Sequence, residues 1–290
     1  MGGVDIKTIA HKNPQEFLSL TESLLMQDEV INNLPLGILK RLVDGGTGNT
    51  EPLMVAITDD DAVRMCLLKT TSHLVISAPK DEHLVDAADK AVEYVLTELA
   101  GEVEIDSVIG QLDIADAFVD SWQQRTGGRV SVEMGQRIYR LDKVTQVPSC
   151  PGEMRPAGEE DFEMAARWIH AFSAEAVDSI THGQARELAR RHLREGSLFI
   201  WQDKQPVAMA ASSRPSTNGI VINLVYTPPE SRRKGYATAC VAALSRHLLD
   251  KGYKFCSLYT DLANPTSNSI YMKIGYYPVA DSVVYRLHKK

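Results

Sequence analysis

The sequence predicts an α/β (α+β) protein: a mixed, mostly antiparallel sheet flanked by helices, built as two similar domains in tandem. Three observations lead there. A chain of 290 residues is longer than one typical domain. Short β-rich runs bounded by turn residues alternate with longer segments whose apolar residues recur at helical spacing. The order strands, long helix, strand, helix, strands also occurs twice, once on each side of a segment at 146–156 that holds three prolines and a glycine. The implied domains are residues 1–146 and 147–290.

In the first domain, Asn13 before Pro14 suits an N-cap, and Phe17, Leu20, Leu24 and Leu25 share one helical face. A second helical piece carries Leu34, Ile38, Leu39 and Leu42, and the pair extends to about residue 44. Gly45-Gly46-Thr47-Gly48-Asn49 matches no phosphate-binding fingerprint and reads as a flexible turn. Residues 53–58, 63–69 and 73–78 read as an antiparallel meander. A helix follows over 81–100, with Val85, Ala88, Val92, Val95, Leu96 and Leu99 as its inner stripe. Then come a strand at 107–110, a helix at 113–125 stopped by Gly127-Gly128, and two strands at 130–132 and 134–141.

The second domain opens with a strand at 154–156 and helices at 159–174, marked by Phe162, Ala165, Ala166 and Ile169, and at 184–194, ending before Gly196. A hairpin over 198–201 and 206–212 turns at Asp203-Lys204-Gln205, and a strand covers 220–226. A helix at 237–250 carries Val241, Leu244 and Leu248, with Lys251-Gly252 as its stop. A strand at 254–260, a helix at 265–274 and a terminal hairpin complete the chain. The two copies end alike: Ile138-Tyr139-Arg140-Leu141-Asp142-Lys143 against Val284-Tyr285-Arg286-Leu287-His288-Lys289.

A net charge of -7 argues against a broad nucleic-acid-binding surface. Cys66, Cys150, Cys240 and Cys256 show no C-x-x-C spacing, so a reduced, cytoplasmic setting without a metal is expected. Neither an apolar leader nor a run approaching the ~18 apolar residues of a membrane span is seen, so no membrane is expected as a partner.

The chemistry concentrates in Asn223-Leu224-Val225-Tyr226-Thr227-Pro228-Pro229-Glu230-Ser231-Arg232-Arg233-Lys234-Gly235-Tyr236-Ala237-Thr238. An apolar strand stops at Pro-Pro, a basic loop with one glycine follows, and an alanine-rich helix begins. A helix start leaves N–H groups without partners and carries partial positive charge, so a phosphate is a natural ligand. Gly235, without a Cβ, lets it approach, and Arg232, Arg233 and Lys234 add charge.

Arg232-x-x-Gly235-x-Ala237 resembles the acyl-CoA pyrophosphate loop of the GNAT superfamily of N-acetyltransferases. Asn264-Pro265-Thr266-Ser267-Asn268-Ser269-Ile270-Tyr271-Met272-Lys273-Ile274-Gly275-Tyr276 fits the same family in order and distance, so the resemblance covers the chain from about Met154 to the end. It implies acetyl-CoA as co-substrate, held by the loop residues Arg232 to Thr238, including Tyr236, and by the backbone of Leu224, Val225 and Tyr226, which would pair with pantetheine amides. Tyr271 matches the tyrosine that protonates the departing thiolate in many relatives; the alternative is that it packs beside Ile270 and Ile274. Asn264 and Asn268 match positions that touch the carrier, although Asn264 before Pro265 also suits a cap.

The expected reaction is acyl transfer to a primary amine of a small molecule or peptide; the alternatives are a non-catalytic acyl-CoA sensor and, in view of the charge least favoured, an aminoacyl transferase using charged tRNA. Some relatives place a glutamate on the strand that here runs 220–226, and this strand has no carboxylate. Asp261, His170, His182 or a water molecule is left as base. Glu175 and Asp178 are either charges suited to a cationic acceptor or solvated loop residues. Where the second copy has the basic loop, the first has Pro79-Lys80-Asp81-Glu82-His83-Leu84-Val85, without glycine and with two carboxylates. The first domain is therefore expected to be a degenerate GNAT-like domain that binds no CoA and serves packing, the acceptor side or a homodimer contact.

Overall fold

The computed structural model describes residues 6–46, 51–59, 62–70, 72–99, 103–175 and 179–289; Asp178 and the turn residues 47–49 lie outside them. The elements run β1 (Ile6–Ala10), α1 (Pro14–Leu25), α2 (Asn33–Val43), β2 (Leu53–Asp59), β3 (Ala62–Lys69), β4 (Leu74–Ser77), α3 (Leu84–Thr97), β5 (Ser107–Gln111), α4 (Leu112–Thr126) and β6 (Arg129–Leu141). The second series is β7 (Glu153–Pro156), α5 (Phe162–Glu175), α6 (His182–Arg194), β8 (Leu198–Asp203), β9 (Gln205–Ser213), β10 (Gly219–Tyr226), α7 (Tyr236–Asp250), β11 (Phe255–Asp261), α8 (Pro265–Ile274) and β12 (Tyr277–His288). Element for element, the second series repeats the first.

Two compact units form, and they do not follow the linker. One comprises Met1–Arg137 with Ala280–Lys290, the other Ile138–Val279. β12 from residue 280 onward thus belongs to the first unit, and the last four residues of β6, 138–141, belong to the second. This exchange explains why the two tail motifs look alike, since each does the same job. Tyr139 donates to Asn268 on α8 at 3.2 Å, and Tyr285 donates to Asp116 on α4 at 2.7 Å. Leu141 and Leu287 are each buried in the core of the unit they close.

In the first unit, β1 through β4 pair antiparallel in succession, β4 runs parallel to β5, and β12 lies antiparallel against β5 with Val284 opposite Ile109. Asn13 caps α1 by accepting from Gln15 and Glu16 N–H at 2.9 and 3.4 Å, with Pro14 at the first turn. One face of the sheet packs on α3 and α4, around Ala88, Val92, Phe118 and Trp122. The other packs on α1 and α2, around Phe17, Leu25 and Leu39.

In the second unit, β7, β8, β9 and β10 pair antiparallel in that order and β10 runs parallel to β11. One face carries α7 and α8, with Val241, Leu244 and Ile274 fully buried; the other carries α5 and α6, with Ala165, Ile169 and Ala189. Thr181 and Gln184 form a reciprocal capping box at the start of α6.

Several expectations need correction. Residues 6–10 form β1, a strand the sequence reading missed. Val85 is 69% exposed because α3 turns Ala87, Ala88, Ala91, Val92 and Val95 inward instead. Residues 129–141 are one strand, not two, and β12 replaces the terminal hairpin.

Candidate active site

The site is built on a defect in β10. Asn223 pairs with Ala211 and Tyr226 with Met209, so three steps along β10 match two along β9, and one extra residue is accommodated. Leu224 takes it up at φ 48°, in the left-handed region where a leucine is strained by about 1–2 kcal/mol. The parallel register with β11 covers Gly219–Val221 opposite Phe255–Ser257 and stops there. Beyond Val221 the backbone of β10 therefore runs on without that partner, and the bulge re-aims its N–H and C=O groups. Leu224 and Tyr226 pack on the α5/α6 side, while Val225 packs against the cluster that holds Tyr236 and Tyr271.

From Tyr226 the chain makes a short 3-10 turn at Pro229–Ser231 and enters the exposed loop Arg232 to Gly235. Arg233 at φ 63° and Gly235 at φ 87° turn the backbone into α7. A Cβ at Gly235 would meet only the Cys150 Sγ, at 3.7 Å, so its backbone conformation demands glycine there and crowding does not. The first bond of α7 runs from Ala239 N–H to the Gly235 carbonyl at 3.0 Å. Among the described residues no side chain caps Tyr236, Ala237 or Thr238, which leaves an anion-accepting helix start.

The charged side chains around this helix start are not equally available. Arg232 donates through Nε to the Thr227 carbonyl at 2.9 Å and through a terminal nitrogen to Glu175 at 2.6 Å. Lys234 donates to the Glu230 carbonyl at 3.0 Å. Tyr236 is buried, and its hydroxyl donates to Asp203 at 2.6 Å, so its backbone alone is presented at the helix start. Cys150, which the sequence reading did not single out, lies beside the loop with its thiol 3.5 Å from the Lys234 carbonyl; burial and Asp203 raise its pKa.

Tyr271 is 8% exposed, edge-to-face with Tyr276 at 5.9 Å between ring centroids. Its hydroxyl has no hydrogen-bond partner among the described residues, and burial raises its pKa well above the ordinary value. Asn268 is fully engaged: its oxygen accepts from Thr260 and Tyr139, and its amide donates to the carbonyls of Asp261 and Asn264. Its side chain staples β11 to the first turn of α8. Asn264 is exposed, and its N–H bonds the Asp261 carbonyl at 3.0 Å.

Of the base candidates, Asp261 accepts from Ala263 N–H at 2.8 Å and shapes the turn. His170 and His182 stack on each other at 3.8 Å. Glu175, half exposed, is paired with Arg232. No spacing rule connects residues 57 positions apart, and only the fold brings these two together.

The first unit builds the equivalent place from different residues. Asp81 accepts from His83 N–H at 2.9 Å, at the start of α3, and also pairs with Arg64 at 3.3 Å. Lys80 bonds Asp113 at 2.5 Å. A Cβ on Gly110 would come within 2.8 Å of Ile76, so β4 and β5 approach closely at that point. Among the described residues no group of three or more His, Cys, Asp or Glu could hold a metal ion, and no helix is long and apolar enough to cross a membrane.

Residues 162–276 match the model of the acetyltransferase (GNAT) family. A search of curated protein sequences finds no match. Solved structures similar to the chain include a GCN5-related N-acetyltransferase from Sphaerobacter thermophilus, with TM-score 0.64 and 12% identity over 96% of this chain and 95% of that one. A GNAT-family acetyltransferase from Colwellia psychrerythraea gives 0.59 and 14%, over 99% and 100%. A tandem GNAT protein from the clavulanic acid biosynthesis pathway gives 0.58 and 10%, over 98% of each. Residues 162–276 are a GNAT-family domain, and the chain around them has the fold of GNAT acetyltransferases.

Proposed function

We propose that the protein is an acyl-CoA-dependent N-acyltransferase that moves acetyl from acetyl-CoA to a primary amine of a small molecule or peptide in the cytoplasm. The observation that carries this reading is the bulged end of β10 leading, through Arg232 to Gly235, into the uncapped start of α7. A diphosphate suits the N–H groups of Tyr236, Ala237 and Thr238, and an extended pantetheine arm suits the backbone of Leu224 to Tyr226 as an added strand.

The amine nitrogen attacks the thioester carbonyl, the carbon–sulfur bond breaks, and the sulfur leaves with the electron pair. Tyr271 is the group to meet that charge. A phenol near ~10 is a weaker acid than a thiol near ~8.5, and burial holds Tyr271 higher still. Its role is therefore to donate a hydrogen bond to the sulfur as charge builds. A full proton transfer is favourable only where the thiolate is equally desolvated. With no carboxylate on β10, water is the base that removes the proton of the amine.

The first unit is read as a degenerate GNAT-like domain that takes no carrier, since the stretch before α3 has no glycine and carries the carboxylates Asp81 and Glu82, which repel a diphosphate. One observation favours a second reading, a non-catalytic acyl-CoA sensor: β10 lacks a carboxylate and the Tyr271 hydroxyl is enclosed. Thiol release from acetyl-CoA over a panel of primary amines decides between them. An enzyme turns over at least one amine and loses that turnover with Tyr271→Phe while keeping CoA affinity; a sensor turns over none.

A further inference from the structure

Arg232 is the first residue of the basic loop, yet its side chain is turned back to the end of β10. Its Nε donates to the Thr227 carbonyl, its guanidinium carbon lies 5.8 Å from the centroid of the Tyr226 ring, and a terminal nitrogen donates to Glu175 at 2.6 Å. Glu175 is the last residue of α5, so the ion pair ties the end of that helix to the loop that α7 grows from. The other two cations are placed differently. Lys234 serves the Glu230 carbonyl, and Arg233 stands exposed in the left-handed region.

A guanidinium has a limited set of forked donors, and a diphosphate is a stronger partner for them than one carboxylate. We infer that the carrier's diphosphate and Glu175 compete for Arg232. The Glu175–Arg232 pair is then a built-in restraint on carrier binding, broken as the diphosphate docks, and the Glu175 carboxylate is free beside Tyr226 and Thr227 only in the loaded form. This inference rests on the acyl-CoA reading. The two side chains are 53% and 42% exposed, so the restraint is a modest one, of the size of a surface ion pair.

The test is calorimetric titration of the full chain with coenzyme A, using wild type, Glu175→Gln, Arg232→Gln and the double variant as a cycle. Glu175→Gln is expected to bind coenzyme A about two- to fivefold more tightly than wild type. Arg232→Gln binds more weakly, and adding Glu175→Gln to it changes nothing further. Unchanged or weaker binding by Glu175→Gln overturns the inference. So does an equal gain in the Arg232→Gln background, because that gain would reflect only removal of a negative charge. Failure of wild type to bind coenzyme A is a separate result and removes the acyl-CoA reading itself.

Discussion

Leu224, Gly235 and Tyr271 shape the candidate site, each for a different physical reason. Leu224 holds a left-handed backbone at a bulge, Gly235 holds one that its residue type permits, and Tyr271 keeps a donor in an apolar enclosure. Gly235→Val should leave the fold intact while placing a branched side chain at the start of α7 and straining φ; coenzyme A affinity is expected to fall at least tenfold, about 1.4 kcal/mol, as calorimetry would read. For Tyr271→Phe, the acyl-transfer reading expects kcat to fall by about 10²-fold or more with little change in Kd for coenzyme A. His192, on α6, tests pH. Burial pushes its pKa down to about 4 from the ordinary 6.5, with Arg191 adding to the effect. The unfolded chain therefore takes up a proton that the folded chain resists, and this part of the stability is whole above about pH 6.5 and is lost as pH falls towards 4. Urea midpoints followed by tryptophan fluorescence should drop more steeply over that window in wild type than in His192→Gln. Equal slopes would show that His192 does not titrate on unfolding.

At the scale of the element, local rules read well where they had local causes. Asn13 with Pro14 marked the start of α1, Gly127 and Gly196 marked helix ends, and Arg232 to Ala237 marked the loop into α7. Asn13→Ala is expected to cost about 1 kcal/mol, measurable as a lowered urea midpoint. β1 was illegible because Ile6 to Ala10 is short and only partly buried, with its pattern supplied by pairing to β2. The sequence splits β6 at Glu133, which interrupts its apolar run, whereas in the structure Glu133 pairs with Arg286 at 2.8 Å inside the first unit. The register of β10 was invisible for a similar reason: a bulge is a relation between two strands, and Asn223-Leu224-Val225-Tyr226 alone reads as regular alternation. Asn268 is the counterpart among site residues, its motif readable and its four internal hydrogen bonds not.

For the whole molecule, the repeat was legible and the exchange was not. Tyr139 and Tyr285 sit at matching places in the two tail motifs, so the sequence reveals that the strands are equivalent. Which partner each strand joins depends on contacts more than a hundred residues away, as Arg137–Asp281 and Arg286–Asp106 illustrate. Deleting residues 280–290 takes Val283, Val284 and Leu287 from the cores of the first unit. Hydrogen exchange should then speed up in β2 to β5, more than in β8 to β11; the reverse order would contradict the division into units. The most direct test of the account is the stoichiometry of coenzyme A uptake by the full chain. One equivalent per chain is expected, lost or sharply weakened by Gly235→Val and untouched by Asp81→Asn. No uptake, two equivalents, or binding indifferent to Gly235 would contradict it.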